Sequence, residues 1–237
     1  MPSQKLFKKL FSDSFILHIP KDIVSGDFYW VNEVEGRIYI AAVDCTGHGV
    51  PGAFMSVIGF ELFRRITETE KKKQPAEILN SLNRGFESIF SDADSVILRD
   101  GMDVAFCAID QEMKVLEFAG AFNPLYLIRE NSITEIKGDR FSVGLNEEEN
   151  EQKSFNDHVI PLSRGDVIYI FTDGFADQFG GPDGKKYKYR RFRHLLLALH
   201  QLPMERQGEF LKRSILDWKG SLDQVDDVLV VGIRIDK

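Results

Sequence analysis

Apolar and polar residues alternate along two runs, FYWVNEV and RIYIAAV, separated by Glu35 and Gly36. A period of two marks strands with one buried face, and a two-residue break between such runs predicts a β-hairpin. With Glu35 and Gly36 as the loop, Val34 faces Arg37, and the same register carries Asp27 opposite Asp44. Directly opposed β-carbons stand roughly 4.5 to 5.5 Å apart. Two carboxylates therefore meet at the open end of the hairpin, where like charges about 4 Å apart repel by about 4 kcal/mol at an effective dielectric near 20. A compensating cation is expected there.

Beyond the hairpin the period changes to that of helices. One is predicted from Pro51 to about Glu70, with Phe54, Val57, Ile58, Leu62 and Ile66 inward, and a second over 75–90, burying Ile78, Leu79, Leu82, Phe86 and Ile89. Short β-rich runs follow at 104–109, 115–119, 125–129 and 133–136, split by DQEM, FNP and EN turns, and these predict an antiparallel meander. Residues 147–153 read as an exposed polar loop. Further strands are predicted at 167–171 and 228–235, with amphipathic helices at 189–201 and 204–218 between them. Residues 1–14 place Leu6, Leu10 and Phe11 near helical spacing among lysines, as a tail or linker helix ahead of one domain over 15–237. No repeat or low-complexity tract divides the chain. The class is α+β, with antiparallel sheets flanked by helices.

Composition narrows the function more than the fold. A net charge of -7 over 237 residues argues against a general grip on nucleic acid, which needs a basic surface. No apolar run reaches the roughly 20 residues that cross a bilayer, and no signal-peptide core opens the chain, so a cytoplasmic location is expected. Cys45 and Cys107 are too few to staple a secreted fold and read as small buried hydrophobes.

The candidate chemistry lies in acids at strand ends. Asp27, Asp44, Asp173 and the pair Asp226 and Asp227 each border a glycine or another turn residue. In an antiparallel sheet the end of one strand meets the start of its neighbour, which brings Asp173 and the Asp226/Asp227 pair together. Carboxylates without accompanying His or Cys ligands suit hard cations such as Mg²⁺ or Mn²⁺. Two such ions would activate a water for in-line attack on a phosphoester. The glycines of GHGVPG could also cradle phosphate, but the loop lacks the Lys-Ser/Thr of a P-loop. His48 in that loop reads either as a general acid or as a residue hydrogen-bonded to backbone that holds the turn. Lys21 is a candidate for contact with substrate phosphate.

The stretches SGDFYW, VDCTGHGVPGAF, FTDGFADQFGG and VDDVLVVGIRI, in this order, resemble the motifs of metal-dependent serine/threonine protein phosphatases (the PPM family), in the bacterial branch typified by SpoIIE and RsbU. The resemblance covers about residues 19–235. It implies a sandwich of two antiparallel sheets with helices outside, an αββα arrangement, and a centre of two Mn²⁺ or Mg²⁺ ions at one end. By motif, Asp27 and Asp44 would hold the ions and their bridging solvent, Asp173 and Asp226 would complete one shell, and Cys45, where relatives carry glycine, would offer its carbonyl. Asp227 would be an outer acid or an alternative to Asp226. Asp100 or Asp103 would serve a weaker third ion. Trp30, Phe122 and Leu229 depart from the common pattern, and Phe122 removes a polar group from its loop.

The implied activity is removal of phosphate from serine or threonine of a protein, with a phosphorylated STAS-type anti-sigma-factor antagonist as the implied substrate in bacterial partner switching. An upstream sensory domain or regulator is implied as well. Pairing of two copies through Leu6, Leu10 and Phe11 is a further expectation. The competing reading is a catalytically silent phosphatase fold that binds a phosphoprotein; acids at all four motifs argue against it, since clustered charges are costly to keep.

Overall fold

The computed structural model describes residues 4–90, 101–110, 112, 114–144 and 153–236. Asp100 and residues 147–152 of the expected polar loop lie outside that set.

Two five-stranded antiparallel sheets stack face to face. One has the order β2 (Phe28–Val34), β3 (Arg37–Cys45), β4 (Met102–Asp110), β5 (Val115–Ala121), β8 (His158–Pro161). The other has the order β1 (Ser14–Ile19), β12 (Val228–Arg234), β9 (Val167–Phe171), β6 (Leu125–Arg129), β7 (Ser132–Ile136). Helices α2 (Gly49–Arg64) and α3 (Pro75–Phe90) cover the first sheet, and α5 (Tyr189–Leu199) and α6 (Met204–Lys219) the second. Alternation along each strand therefore fills three cores: one between the sheets, including Val31, Ile40, Phe118, Ile170 and Val231, and one under each helical layer. A short ribbon, β10 (Phe179–Gly180) with β11 (Lys185–Lys186), closes the loop after α4 (Gly174–Asp177).

The hairpin register is the expected one, from Val34↔Arg37 to Phe28↔Val43. The meander is not. β4 pairs with β5 and β6 with β7, but β5 takes β8 as its other neighbour and β6 takes β9. A corner at 122–124 carries the chain from one sheet to the other. It is so tight that a β-carbon on Gly120 would stand 2.5 Å from the carbonyl of Asn123.

The inward face of α2 also differs from expectation. Phe54 and Val57 are 70% and 69% exposed, while Gly52, Met55, Gly59, Leu62 and Phe63 face the sheet. Glycine sets this face: a β-carbon on Gly59 would lie 2.9 Å from Met102 Sδ and 3.1 Å from the Phe28 ring. Ile66 is buried as expected, on the π-helical turn Arg65–Thr69 that ends the helix. Ile89, expected to be buried, is partly exposed.

At the N-terminus, α1 (Gln4–Leu10) docks through Phe7, and Phe7 and Phe11 are buried in the core between the sheets. Phe11 is thus unavailable for pairing with a second copy, contrary to the expectation for that segment. Cys45 and Cys107 are both free and buried. Among the described residues no helix is long and apolar enough to cross a membrane.

Candidate metal centre

One end of the sandwich gathers the acids. Asp44 lies on β3, where its direct neighbour across the ladder is Asp103 of β4. Asp27 immediately precedes β2, is buried, and comes within hydrogen-bonding reach of Asp44. From the second sheet, Thr172 follows β9, and its hydroxyl donates to Asp27 Oδ2 at 2.6 Å, tying the two sheets together behind the site. Asp173 is next along the chain, and Asp226 stands before β12. Asp44, Asp103, Asp173 and Asp226 line one cleft of about 220 Å³, together with Cys45, Thr46, Gly47, His48 and Ser142.

The neighbouring acids Asp226 and Asp227, equivalent in sequence, are separated by the fold. Asp226 faces the cleft. Asp227 is buried and accepts hydrogen bonds from the backbone N–H of Lys21 at 2.7 Å and of Gly26 at 2.8 Å. It anchors the loop that delivers Asp27.

Glycines let the backbone close around the acids. Gly47 and Gly49 turn the chain with φ of 83° and 67°. Gly52 serves contact instead: a β-carbon there would lie 2.1 Å from the carbonyl of Gly47 and 2.9 Å from the Cα of Gly26.

His48 does not hydrogen-bond to backbone. Its Nδ1 lies 2.8 Å from Asp22 Oδ2 and its Nε2 lies 2.8 Å from Lys21 Nζ. An ammonium can only donate, so Nε2 accepts and Nδ1–H donates to Asp22. Both ring nitrogens are thereby engaged within the protein, which favours a role in holding the loop over one in proton transfer. Asp22 escaped the sequence reading because the loop that carries it has no periodicity and no motif.

The electrostatics of the cleft are those of crowded acids. Burial, and then Asp44, push Asp27 well above the usual carboxylate range; burial, and then Asp173 and Asp226, do the same to Asp44. Asp173 rises to about 6, first through burial and then through Asp226. Burial also raises Asp103 and Asp226, although the Asp227 backbone N–H, which donates to Asp226, and the Lys21 ammonium draw Asp226 partly back. The Cys45 thiol is pushed up by burial, so it stays neutral and its carbonyl is the better donor to an ion.

An all-oxygen donor set in a cleft this small fits a hard divalent ion. Among the described residues no three of the carboxylates yet converge on one point, so closing on an ion requires side-chain rotation.

A pH-dependent response to metal follows. Carboxylates raised on folding contribute their stability below the unfolded value, near 3.8, and lose it as pH climbs through the folded value, about 6 for Asp173. Mn²⁺ or Mg²⁺ binds the ionised acids, so the Tm gained on adding it should be larger at pH 8 than at pH 5. At a hundredfold excess over Kd the gain is about 2.7 kcal/mol, or about 5–10 °C for a chain of this length. Scanning fluorimetry with metal or chelator measures it; an equal or larger gain at pH 5 would contradict the charge argument.

Comparison with known proteins fits this geometry. The family model for stage II sporulation protein E (SpoIIE) matches residues 34–236. The chain belongs to the SpoIIE family. A search of curated protein sequences returns no match. Among solved structures, the SiaA-PP2C domain of Pseudomonas aeruginosa is 30% identical with a TM-score of 0.88, over 98% of this chain and 90% of that one. The PP2C phosphatase domain of SpoIIE from Bacillus subtilis, with a fragment of its regulatory domain, is 19% identical with a TM-score of 0.74, over 94% and 63%. The RsbU and RsbW domains of a Mycobacterium tuberculosis protein give 16%, 0.74, 94% and 60%. As a member of the SpoIIE family this chain is a PP2C-type phosphatase domain, of the serine/threonine protein phosphatase class and of a metal-dependent type.

Proposed function

We propose that this domain hydrolyses phosphoserine or phosphothreonine on a protein at a centre of two Mn²⁺ or Mg²⁺ ions. The observation that carries the reading is the cleft itself: four carboxylates, drawn from both sheets, line about 220 Å³ with Asp27 directly behind them. When bound, two hard cations would neutralise the acids, acidify water and polarise the phosphoryl oxygens.

The chain's own residues do the rest. Asp27 and Asp44 would hold the ions between the sheets, Asp173 and Asp226 would close the outer side, and the Cys45 carbonyl would serve as a neutral ligand. Asp103 borders the same cleft and suits a weaker third ion. Thr172 fixes one oxygen of Asp27, and Asp227 fixes its loop. Lys21, hydrogen-bonded to His48 of the cleft lining, would offer its ammonium to the substrate phosphate.

As substrate we favour a phosphorylated STAS-type anti-sigma-factor antagonist, acted on in the cytoplasm under an upstream regulator. Family membership and the fold shared with a protein of RsbU and RsbW domains support this choice.

The test is hydrolysis of para-nitrophenyl phosphate with Mn²⁺ or with chelator, by the parent and by Asp173→Ala. Turnover should require metal and should collapse in the variant. A parent inactive with metal, or a variant of full activity, would overturn the enzymatic reading.

A further inference from the structure

A second, larger cavity of about 500 Å³ adjoins the metal cleft and shares Asp103 and Asp173 with its lining. Its volume falls within the ~300–1,000 Å³ of ligand sites. Three features of its lining are unexplained by the needs of the fold.

The first is charge. Lys137 and Arg140 line this cavity beside the most acidic part of a chain whose net charge is -7. Neither has an ion-pair partner among the described residues, because the neighbouring acids are committed elsewhere. Glu135 pairs with Arg193 at 3.0 Å, and Asp139 accepts from the backbone and side-chain nitrogens of Asn156, each at 2.9 Å. The second is an orphan donor. Asn123 is only 6% exposed and belongs to the cavity wall, yet its Nδ2 has no hydrogen-bond partner. A covered amide without a partner is costly, and a turn about its broad χ2 torsion would present that donor to the cavity. The third is strain. Phe122 adopts φ of 54°, held there by its N–H donating to the Asp139 carbonyl at 2.8 Å, and its ring lines the cavity 50% exposed. A left-handed backbone is unfavourable for a residue with a β-carbon. Here the cost leaves an aromatic ring uncovered beside the reaction centre.

We propose that this cavity is the subsite for the polypeptide flanking the phosphorylated residue, and that it selects segments with carboxylates close to the phosphoresidue. The proposal rests on the hydrolytic reading above for the position of the phosphate. Lys137 and Arg140 pair with the substrate's acidic side chains, the Asn123 amide donates to a main-chain carbonyl, and an apolar side chain lies on Phe122. Specificity thus comes from a basic spot inside an acidic rim, which repels acidic chains that cannot reach it.

The test uses Mn²⁺-loaded protein and two labelled peptides that carry the same non-hydrolysable phosphonate analogue of phosphoserine, one flanked by Asp and Glu, the other by Ser and Gln. Fluorescence anisotropy should show about tenfold tighter binding of the acidic peptide, with the margin shrinking as salt rises. Lys137→Glu with Arg140→Glu should erase or reverse the preference. Asn123→Leu should weaken both peptides by a similar factor of about three to ten, since a main-chain carbonyl is common to both. In parallel, the ratio of kcat/KM on an acidic phosphopeptide to that on para-nitrophenyl phosphate should fall at least tenfold in the charge-reversed protein, through KM. Equal binding of both peptides by the parent, or the same loss on peptide and aryl phosphate, would overturn the subsite. Failure of the parent to hydrolyse aryl phosphate would instead overturn the hydrolytic reading, while peptide preference still decides the subsite.

Discussion

Asp44→Asn is expected to lower Mn²⁺-dependent turnover by on the order of 10³-fold or more, and at the same time to raise the melting temperature of the metal-free protein at pH 8. Both effects come from one charge. Asp44 is half-buried beside Asp27, and burial and then Asp173, Asp226 and Asp103 disfavour its ionised form, while a hydrogen bond with Asp27 partly offsets them. Asparagine keeps the shape, removes the repulsion and can donate to Asp27. Removing one like charge from this crowded cluster should raise Tm by a few degrees, since about 1 kcal/mol moves a chain of this length by about 2–4 °C. A residue kept for chemistry at the expense of stability behaves in this way. Activity assays and chelator-treated thermal melts of the same preparation check the pair of outcomes. A variant that loses activity and also melts lower would assign Asp44 to packing rather than to holding an ion.

Gly174→Ala is the second large effect. Asp173 and Asp226 come from different strands, and their neighbours Gly174 and Asp227 fix their separation. A β-carbon on Gly174 would lie 1.9 Å from the Asp227 carbonyl oxygen and 2.9 Å from its carbon. That overlap is with backbone, which cannot rotate away, so the strand start must move. Overpacking of this kind costs about 1–3 kcal/mol, occasionally more, or about 2–10 °C in Tm. The same movement displaces Asp226 from Asp173, so metal-dependent turnover should drop by at least 100-fold, since even a 1 Å misplacement can cost that much. Excess Mn²⁺ should restore part of it if the defect is weakened binding. An alanine variant with parental Tm and rate would show that the contact relaxes without consequence.

These two residues illustrate how far the sequence could be read. The position of Asp44 was legible, because alternation on both sides of Glu35-Gly36 sets the hairpin register and the end of β3 follows from it. Gly174 looked like ordinary turn chemistry, whereas its role is space for a carbonyl some fifty residues away, which no local pattern encodes. The same limit explains α2. Periodicity weights large apolar residues, but Gly52 and Gly59 define the packed face, leaving Phe54 and Val57 outside. Period-two runs likewise identify strands and not their neighbours, so the switch of sheets at Phe122 was hidden. Asp226 and Asp227 could be told apart only once Lys21 and Gly26 were seen to claim one of them.

The carboxylates of the cleft belong to opposite sheets, and the chain between Asp44 and Asp173 makes a helical layer and three strands of each sheet before the two meet. Contacts of such long sequence separation form late in folding. Asp27 and Asp44 meet once the hairpin forms, but Asp173 and Asp226 join them only after the sheets have docked, when the core between them is already filled. An ion that needs the assembled cleft has little to hold in the transition state, so its stabilisation falls mainly on the rate of unfolding. Metal supply would then set how long the folded state lasts rather than how fast it is reached.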